Sequence, residues 1–146
     1  ISTNQALSKE GVETESTDEL TALLVEDEPN EREMLAGFLR LHGYRVVTAA
    51  DGLEAMEYLE SNERPSVLLI DMRMPRCDGP TTIRRIRETP AFDDLKIFAI
   101  SGSSPEENQI NVRDDGINRW FTKPLNPNSL VDALAVTDSD RKRIPV

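Results

Sequence analysis

The sequence predicts an α/β fold in which one parallel sheet is covered by helices on both faces. Short aliphatic segments alternate along the chain with amphipathic segments, five of each. Strict alternation is typical of a parallel sheet, because two parallel strands are usually joined through a helix. The segment Val67–Ile70 is apolar at every position, as expected for a central strand that is buried on both faces. We therefore predict a five-stranded, doubly wound domain over residues 21–137.

Each predicted strand is an apolar run that ends at a turn signal or a polar residue. The five runs cover residues 21–26, 45–50, 66–71, 95–101 and 119–124. The predicted helices cover residues 30–43, 51–61, 80–88, 104–116 and 126–135. Right-handed crossovers would bring the carboxyl ends of all five strands to the same edge of the sheet.

The first two helices carry apolar residues at helical spacing and clear end signals. In the first helix four residues are placed on one side: Leu35, Phe38, Leu39 and Leu41. His42 and Gly43 form its stop signal. Asp51 can cap the second helix. The apolar positions of this second helix are Ala55, Met56 and Leu59.

The other three helices have similar signals. In the third helix, Ile83 and Ile86 are expected to face the core. Ser104 followed by Pro105 and two glutamates is a strong start signal for the fourth, with a cap, a preset φ and acids at the positive end of the dipole. Asn126 and Pro127 begin the fifth helix, which is expected to bury Leu130, Val131 and Leu134.

Composition narrows the classes of function. The 146 residues carry a net charge of −10 and a pI near 4.6, which is unfavourable for binding nucleic acid through the general surface. One cysteine, Cys77, excludes an intramolecular disulfide and a cysteine zinc cluster, and one histidine, His42, excludes multi-histidine metal sites. We interpret both residues as structural or incidental. No run suits a membrane span, so a cytoplasmic domain is expected, with a flexible leader (1–20) and tail (138–146).

Polar residues collect where the predicted strands end. Glu26 and Asp27 follow the first strand, Asp71 ends the third, Ser101 the fourth and Lys123 follows the fifth. Ligands of open parallel sheets bind at this edge. Crowded carboxylates either hold a proton or recruit a cation, and ligands that are all oxygen favour Mg²⁺. Asp71 could then act as a nucleophile towards a phosphoryl group, with Lys123 and Ser101 contacting its oxygens.

Four segments resemble the receiver domain of bacterial two-component response regulators: LLVEDEPNE, LLIDMRMPRCDG, FAISG and WFTKPL. The gaps of 44 residues from Asp27 to Asp71, 30 to Ser101 and 22 to Lys123 match the family pattern. The resemblance covers about residues 21–135 and implies a flavodoxin-like fold.

The resemblance also implies a function and roles for the residues. Asp71 would be phosphorylated by a histidine kinase or a histidine phosphotransfer protein. Glu26, Asp27, Asp71 and the backbone carbonyl of Arg73 would hold Mg²⁺. Ser101 would be the switch hydroxyl, and Lys123 would contact the phosphoryl group. Trp120 occupies the aromatic position whose rotamer follows that hydroxyl. The output would be a shift of the fourth helix, fifth strand and fifth helix. This shift would alter the binding of an unidentified downstream protein or output domain, or lead to a homodimer that forms on phosphorylation.

The sequence departs from the family pattern at several positions. Glu26 replaces the commoner aspartate and could reach a metal directly or through water. Arg73 and Ser103 lie two residues beyond Asp71 and Ser101, at positions that tune autodephosphorylation in the family. Cys77 and Pro80 make the loop before the third helix less usual. The peptide bond before Pro124 is often cis in the family.

Other interpretations stay open from the sequence. The chain could be a pseudo-receiver scaffold that is not phosphorylated, or a small aspartyl-phosphate phosphatase, although that class needs an acid at the position of Arg73. A flavin carrier is disfavoured, because the acids after the first strand would repel the flavin phosphate. An arginine cluster could dock a partner or be a solvated helix face, which we favour; its members are Arg73, Arg76, Arg84, Arg85 and Arg87.

Overall fold

A computed structural model describes residues 19–74 and 78–142, and these form one five-stranded parallel sheet with helices on both faces. The strands are β1 (Thr21–Val25), β2 (Arg45–Ala49), β3 (Val67–Asp71), β4 (Lys96–Ser101) and β5 (Arg119–Thr122). Their spatial order is β2-β1-β3-β4-β5, and every neighbouring pair is parallel. The predicted fold class is confirmed, and β3 lies at the centre with all five residues buried.

The described residues contain four α-helices: α1 (Pro29–Leu41), α2 (Gly52–Ser61), α3 (Gly79–Arg87) and α4 (Pro127–Lys142). The side chain of Asp51 caps α2 by accepting a hydrogen bond from the Glu54 N–H, as predicted. At the end of α1, Gly43 has a φ of +90°, a backbone conformation that favours glycine. Helices α2 and α3 cover one face of the sheet, and α1 and α4 cover the other.

Alternate residues of the strands supply two separate hydrophobic cores, because successive side chains of a strand point to opposite faces. On one face, Leu23, Leu68 and Ile97 pack with residues of α2 and α3 such as Met56 and Ile86. The opposite face has its own set, made of Leu24, Leu69, Phe98, Leu39 of α1 and Leu130 of α4. Packing in the two cores holds the strands in place, and the polar residues lie at the carboxyl ends of these strands.

The predicted fourth helix is wrong. Within residues 104–116 the structure has a single 3-10 turn, Glu106–Asn108, followed by Gln109 in the left-handed conformation with φ 57° and ψ 41°. The start signal itself does form: the Glu107 N–H donates to Ser104 Oγ, and the Ser104 N–H donates to Glu107 Oε1. A complete capping box is therefore followed by only one turn.

The ends of the folded unit also differ from the prediction. Leu20, assigned to the flexible leader, is 1% exposed and belongs to the core. The helix expected to end at Ala135 continues through 138–142, part of the predicted tail, to Lys142. Leu41, placed on the buried side of α1, is 87% exposed, because the helix ends there. Across the described helices, none has both the length and the apolar character needed to cross a membrane.

The arginine cluster divides into two kinds of residue. Arg73, Arg84 and Arg85 are exposed, in agreement with a solvated face. Arg87 differs from that interpretation, because its guanidinium donates to carbonyl oxygens that precede β4 and β5, among them those of Leu95 (2.7 Å) and Gly116 (2.8 Å). The remaining member, Arg76, and the single cysteine, Cys77, lie outside the described residues.

Candidate phosphoacceptor and metal site

Two neighbouring strands place the acidic residues together. Strand β1 pairs with β3 in a register that sets Val25 beside Ile70, so Glu26 and Asp71 follow on adjacent strands at the same edge. Carboxylate oxygens of Glu26, Asp27 and Asp71 all lie within 4.8 Å of one another. Glu26 is 6% exposed and Asp71 is 4% exposed, so two of the three carboxylates are removed from water. Crowding and burial together make an uncompensated arrangement of anions costly.

The pKa of Glu26 reflects this cost. Burial raises its pKa to about 7, and the neighbouring Asp71 carboxylate adds to the rise. The Glu28 N–H, which donates to Glu26 Oε2 at 3.0 Å, and the Lys123 ammonium act in the opposite direction. The loop backbone is held as well, since the Arg32 guanidinium donates to the Glu26 carbonyl oxygen. A divalent cation at this place would favour the charged form of Glu26.

Lys123 reaches this cluster from the last strand. Its Nζ donates to Asp71 Oδ2 at 3.3 Å and lies 3.9 Å from Glu26 Oε1. Burial by itself lowers the pKa of Lys123, but the surrounding carboxylates, with Asp71 first, outweigh it and raise that pKa above its ordinary value. The ammonium is therefore charged at neutral pH. The Lys123–Pro124 peptide bond is cis.

The hydroxyl of Ser101 is buried and faces its own loop. Ser101 Oγ accepts from the Ser103 N–H at 3.2 Å, and the Trp120 indole N–H donates to the Ser103 carbonyl oxygen at 3.1 Å. Beside it, a cavity of about 360 Å³ opens at Asp71 and is lined by Arg73, Gly102, Ser103 and Lys123. This volume is ample for a phosphoryl group. Ser101 is not among the residues that line this cavity, so its side chain has to turn towards it to contact that group.

The residues present suit a hard divalent cation. Three carboxylates converge, and within residues 19–74 and 78–142 no softer ligand stands among them. Oxygen ligands of this kind are those that Mg²⁺ prefers. The backbone of Arg73 lies next to the cluster, because its N–H donates to Asp71 Oδ1 at 3.0 Å. The Arg73 carbonyl as a fourth ligand remains an expectation from the resemblance.

The structure brings together the residues that the sequence singled out, with one addition. Glu26, Asp27, Asp71 and Lys123 meet directly, whereas Ser101 and Trp120 are connected to each other through Ser103. Sequence reasoning missed Glu31, whose Oε1 lies 3.3 Å from Lys123 Nζ. It stands in the first turn of α1, where an acid is common for helix-dipole reasons alone, so the sequence carried no signal for this contact.

Comparison with known proteins agrees with this geometry. The profile of the response regulator receiver domain family matches residues 22–135. An uncharacterized 14.6 kDa protein in the sodA1 3′ region of Leptolyngbya boryana is 34% identical over 113 residues, which are 77% of this chain and 86% of that protein. The response regulator MprA of Mycobacterium ulcerans is 32% identical over 142 residues, covering 85% of this chain.

The chain spans 60% of the length of that MprA and 48% of the response regulator Rre1 of Synechocystis. Among solved structures, the chemotaxis response regulator CheY4 of Vibrio cholerae superposes with a TM-score of 0.74 at 30% identity, covering 82% of this chain and 98% of CheY4. The signal receiver domain of a signal transduction histidine kinase from Syntrophus aciditrophicus has a TM-score of 0.77 at 26% identity and covers 86% of this chain and 94% of that domain. With a family match over most of its length and the acidic site in place, the chain belongs to the response-regulator receiver domains of two-component signalling.

Proposed function

We propose that this chain is a phosphorylation-controlled signalling switch that accepts a phosphoryl group on Asp71 from a phosphohistidine donor in the presence of Mg²⁺. The observation that carries the proposal is the position of Lys123 Nζ, 3.3 Å from Asp71 Oδ2, beside the gathered carboxylates of Glu26 and Asp27. The ammonium suits the negative charge of a phosphoryl group, and the carboxylates would hold the Mg²⁺ that neutralises the rest of that charge.

In the proposed step a carboxylate oxygen of Asp71 attacks the phosphorus atom of the donor. A phosphorus–oxygen bond forms, the phosphorus–nitrogen bond breaks, and the imidazole nitrogen keeps the electron pair and takes a proton from water. Lys123 neutralises a phosphoryl oxygen. Glu26, Asp27 and Asp71 would hold Mg²⁺, which supplies further positive charge to the oxygens when it is bound.

The proposed switch begins at Ser101. When its side chain turns towards the phosphoryl group, the hydrogen bond from the Ser103 N–H is displaced, and the Ser103 carbonyl oxygen is the acceptor of the Trp120 indole N–H. A change at Ser101 is thereby passed to β5 through two hydrogen bonds. The output surface differs from the one that the sequence predicted, because the segment 102–118 stands where the fourth helix was expected. This segment, β5 and α4 would together alter the affinity for a partner.

The partners follow from this chemistry. Response regulators take phosphoryl groups from histidine kinases, and we infer a sensor kinase or a histidine phosphotransfer protein as the donor. A downstream protein or an output domain would read the changed surface, and a homodimer formed on phosphorylation is a further readout. A cytoplasmic location suits such donors. Receiver domains are signalling domains rather than classical enzymes, so the activity proposed is self-catalysed phosphotransfer and autodephosphorylation.

The proposal is tested by incubating the chain with phosphoramidate, a small donor with a phosphorus–nitrogen bond, with and without Mg²⁺. Intact mass should rise by one phosphoryl group only when Mg²⁺ is present, and peptide mapping should place the group on Asp71. The gain should vanish in Asp71→Asn and fall strongly in Asp27→Ala and Lys123→Ala. Asp132→Asn, which removes an exposed acid of α4, should be labelled like the native chain.

Trp120 fluorescence gives a second readout. Its indole is half-buried and hydrogen-bonded to Ser103, so emission should change when beryllofluoride and Mg²⁺ are added. Absence of labelling at Asp71 under these conditions would instead support a pseudo-receiver scaffold. Release of phosphate from many added phosphate esters per chain would support the phosphatase alternative.

A further inference from the structure

One contact at the site is not explained by the proposed phosphotransfer. Lys123 Nζ lies 3.3 Å from Glu31 Oε1, the same distance as from Asp71 Oδ2. Three carboxylates thus surround one ammonium when Glu26, at 3.9 Å, is included. The charge that Lys123 could offer to an incoming phosphoryl group is already shared.

Both partners of this contact are held by their backbones. Glu31 is in the first turn of α1, and its N–H donates to the capping side chain of Glu28 at 2.8 Å. Lys123 follows β5, and its N–H donates to the Ser101 carbonyl oxygen at 2.7 Å. The side chain of Glu31 is 53% exposed, whereas that of Asp71 is 6% exposed. The contact therefore depends on where α1 begins and is not an accident of a mobile loop.

Phosphorylation changes the electrostatics of this arrangement. The acyl phosphate of Asp71 carries about one negative charge more than the carboxylate that it replaces. Since Glu31 and Asp71 contact the same nitrogen, they lie within one Debye length of each other, about 8–10 Å at physiological salt, and screening between them is incomplete. Glu31 both holds Lys123 and repels the added charge.

Resting on the proposed function, we propose that Glu31 is a positioning residue that competes with the phosphorylated Asp71 for the Lys123 ammonium and so weakens binding of a phosphoryl group at this site. Removal of its charge frees Lys123 for the phosphoryl oxygens. The expected effect is modest, because Glu31 is half exposed and a pair of this kind changes an equilibrium by about threefold.

The test measures the affinity for beryllofluoride, whose complex with an aspartate has the charge of an acyl phosphate, by ¹⁹F NMR of the bound fluorides in excess Mg²⁺. Glu31→Gln, which keeps the shape and removes the charge, should bind about threefold more tightly than the native chain at low salt. The gain should shrink in 0.5 M NaCl, because the effect is electrostatic. A residue that served only the structure of α1 would show no such dependence on salt.

Glu33→Gln is the matched control. It removes the same charge from the same helix at an exposed position two residues away, and its affinity should equal that of the native chain. Equal affinities of Glu31→Gln and Glu33→Gln would overturn the inference while leaving the proposed function intact. Weaker binding by Glu31→Gln would overturn it too, since Glu31 would then be orienting Lys123 towards the phosphoryl group. Failure of the native chain to bind beryllofluoride any better than Asp71→Asn would overturn the proposed function and this inference together.

Discussion

At the scale of single residues, the molecule places its strongest electrostatic conflict at Glu26. Its carboxylate is buried beside Asp71 and has one ammonium for partial compensation, so the acid is easier to protonate in the folded chain than in the unfolded one. An aspartate would be one methylene shorter. The longer side chain reaches back to the Glu28 N–H, which keeps its oxygen over the site.

This conflict predicts how stability depends on pH. The folded pKa of Glu26 is about 7, above its ordinary value of 4.5, so the folded state holds the proton more tightly. The resulting stabilisation is complete below pH 4.5 and is lost as pH rises through 7. Glu26→Gln imitates the protonated acid. It should match the native chain near pH 4.5 and exceed it by about 3 kcal/mol at pH 8 without divalent cations.

Urea denaturation at pH 4.5 and pH 8 in a chelator measures these free energies. Glu33→Gln provides the comparison, because Glu33 is exposed and the substitution removes the same charge from a position outside the site. A difference between Glu26→Gln and the native chain that does not change with pH would contradict the assignment. Addition of Mg²⁺ at pH 8 should stabilise the native chain more than Glu26→Gln, because the charged carboxylate is the better ligand.

At the scale of secondary-structure elements, the contact of α3 with the end of β3 constrains the backbone at Asp71. Gly79, the first residue of α3, lies so close that a Cβ atom would be 2.6 Å from Met72 Cα and 2.9 Å from the Asp71 carbonyl oxygen. These are backbone atoms and cannot move aside independently. The close approach of α3 to the end of β3 is therefore part of what holds the backbone of Asp71 in place.

Gly79→Ala should destabilise the fold by about 2 kcal/mol or more, because the backbone at Asp71 and Met72 must shift. The same shift should weaken binding of beryllofluoride. Thermal and urea denaturation measure the first effect, and ¹⁹F NMR the second. Gly37→Ala is the contrast: a Cβ there meets no atom within 4 Å, and alanine in the middle of α1 should stabilise the fold by up to about 1 kcal/mol. Equal stability of Gly79→Ala and the native chain would contradict the packing argument.

The elements also show which parts of the fold the sequence could predict. All five strands and four of the helices were recognisable, because their apolar periodicity agrees with their end signals. The segment 104–116 was not, since a local start signal does not ensure propagation. Beyond Gln109, Asn111 and its neighbours bond to one another: the Asp114 N–H donates to Asn111 Oδ1, and the Asn111 N–H donates to Asp115 Oδ2. These bonds accompany a separate turn, in which the Asp115 N–H donates to the Asn111 carbonyl oxygen at 2.8 Å, so the segment forms two short turns and not one helix.

At the scale of the whole molecule, the parallel sheet is what makes the site. Asp27 and Asp71 are 44 residues apart, and Lys123 follows 52 residues later, yet their side chains meet because β1, β3 and β5 end at one edge. This convergence was predictable from the alternation of strands and helices along the sequence, because parallel strands end at the same edge of a sheet. The contact of Glu31 with Lys123 was not, because it depends on the distance between α1 and the turn after β5, which no periodicity encodes.

The whole-molecule packing also defines how much of the chain the domain needs. Among the described residues Leu134 is the last one that is buried, although α4 continues to Lys142. The later turns have ion pairs within their own segment, where Asp138 contacts Arg141 at 2.8 Å and Lys142 at 3.5 Å. Removal of residues 138–146 deletes both partners of each pair at once, and none of the residues 138–142 belongs to the buried core.

A chain that stops at Thr137 should therefore lose less than about 1 kcal/mol of unfolding free energy and keep its affinity for beryllofluoride. A chain that stops at Ser129 is the contrast. It lacks Leu130, Ala133 and Leu134, which are all buried against the α1 face of the sheet. Loss of each buried leucine costs about 2–5 kcal/mol of unfolding free energy, and the loss of two is enough to unfold a domain of this size. Urea denaturation compares the two with the full chain. A loss of several kcal/mol on stopping at Thr137 would show that residues 138–142 pack on the domain. Asp138 would then be the residue to examine, because its charge adds to burial in raising the pKa of Tyr44.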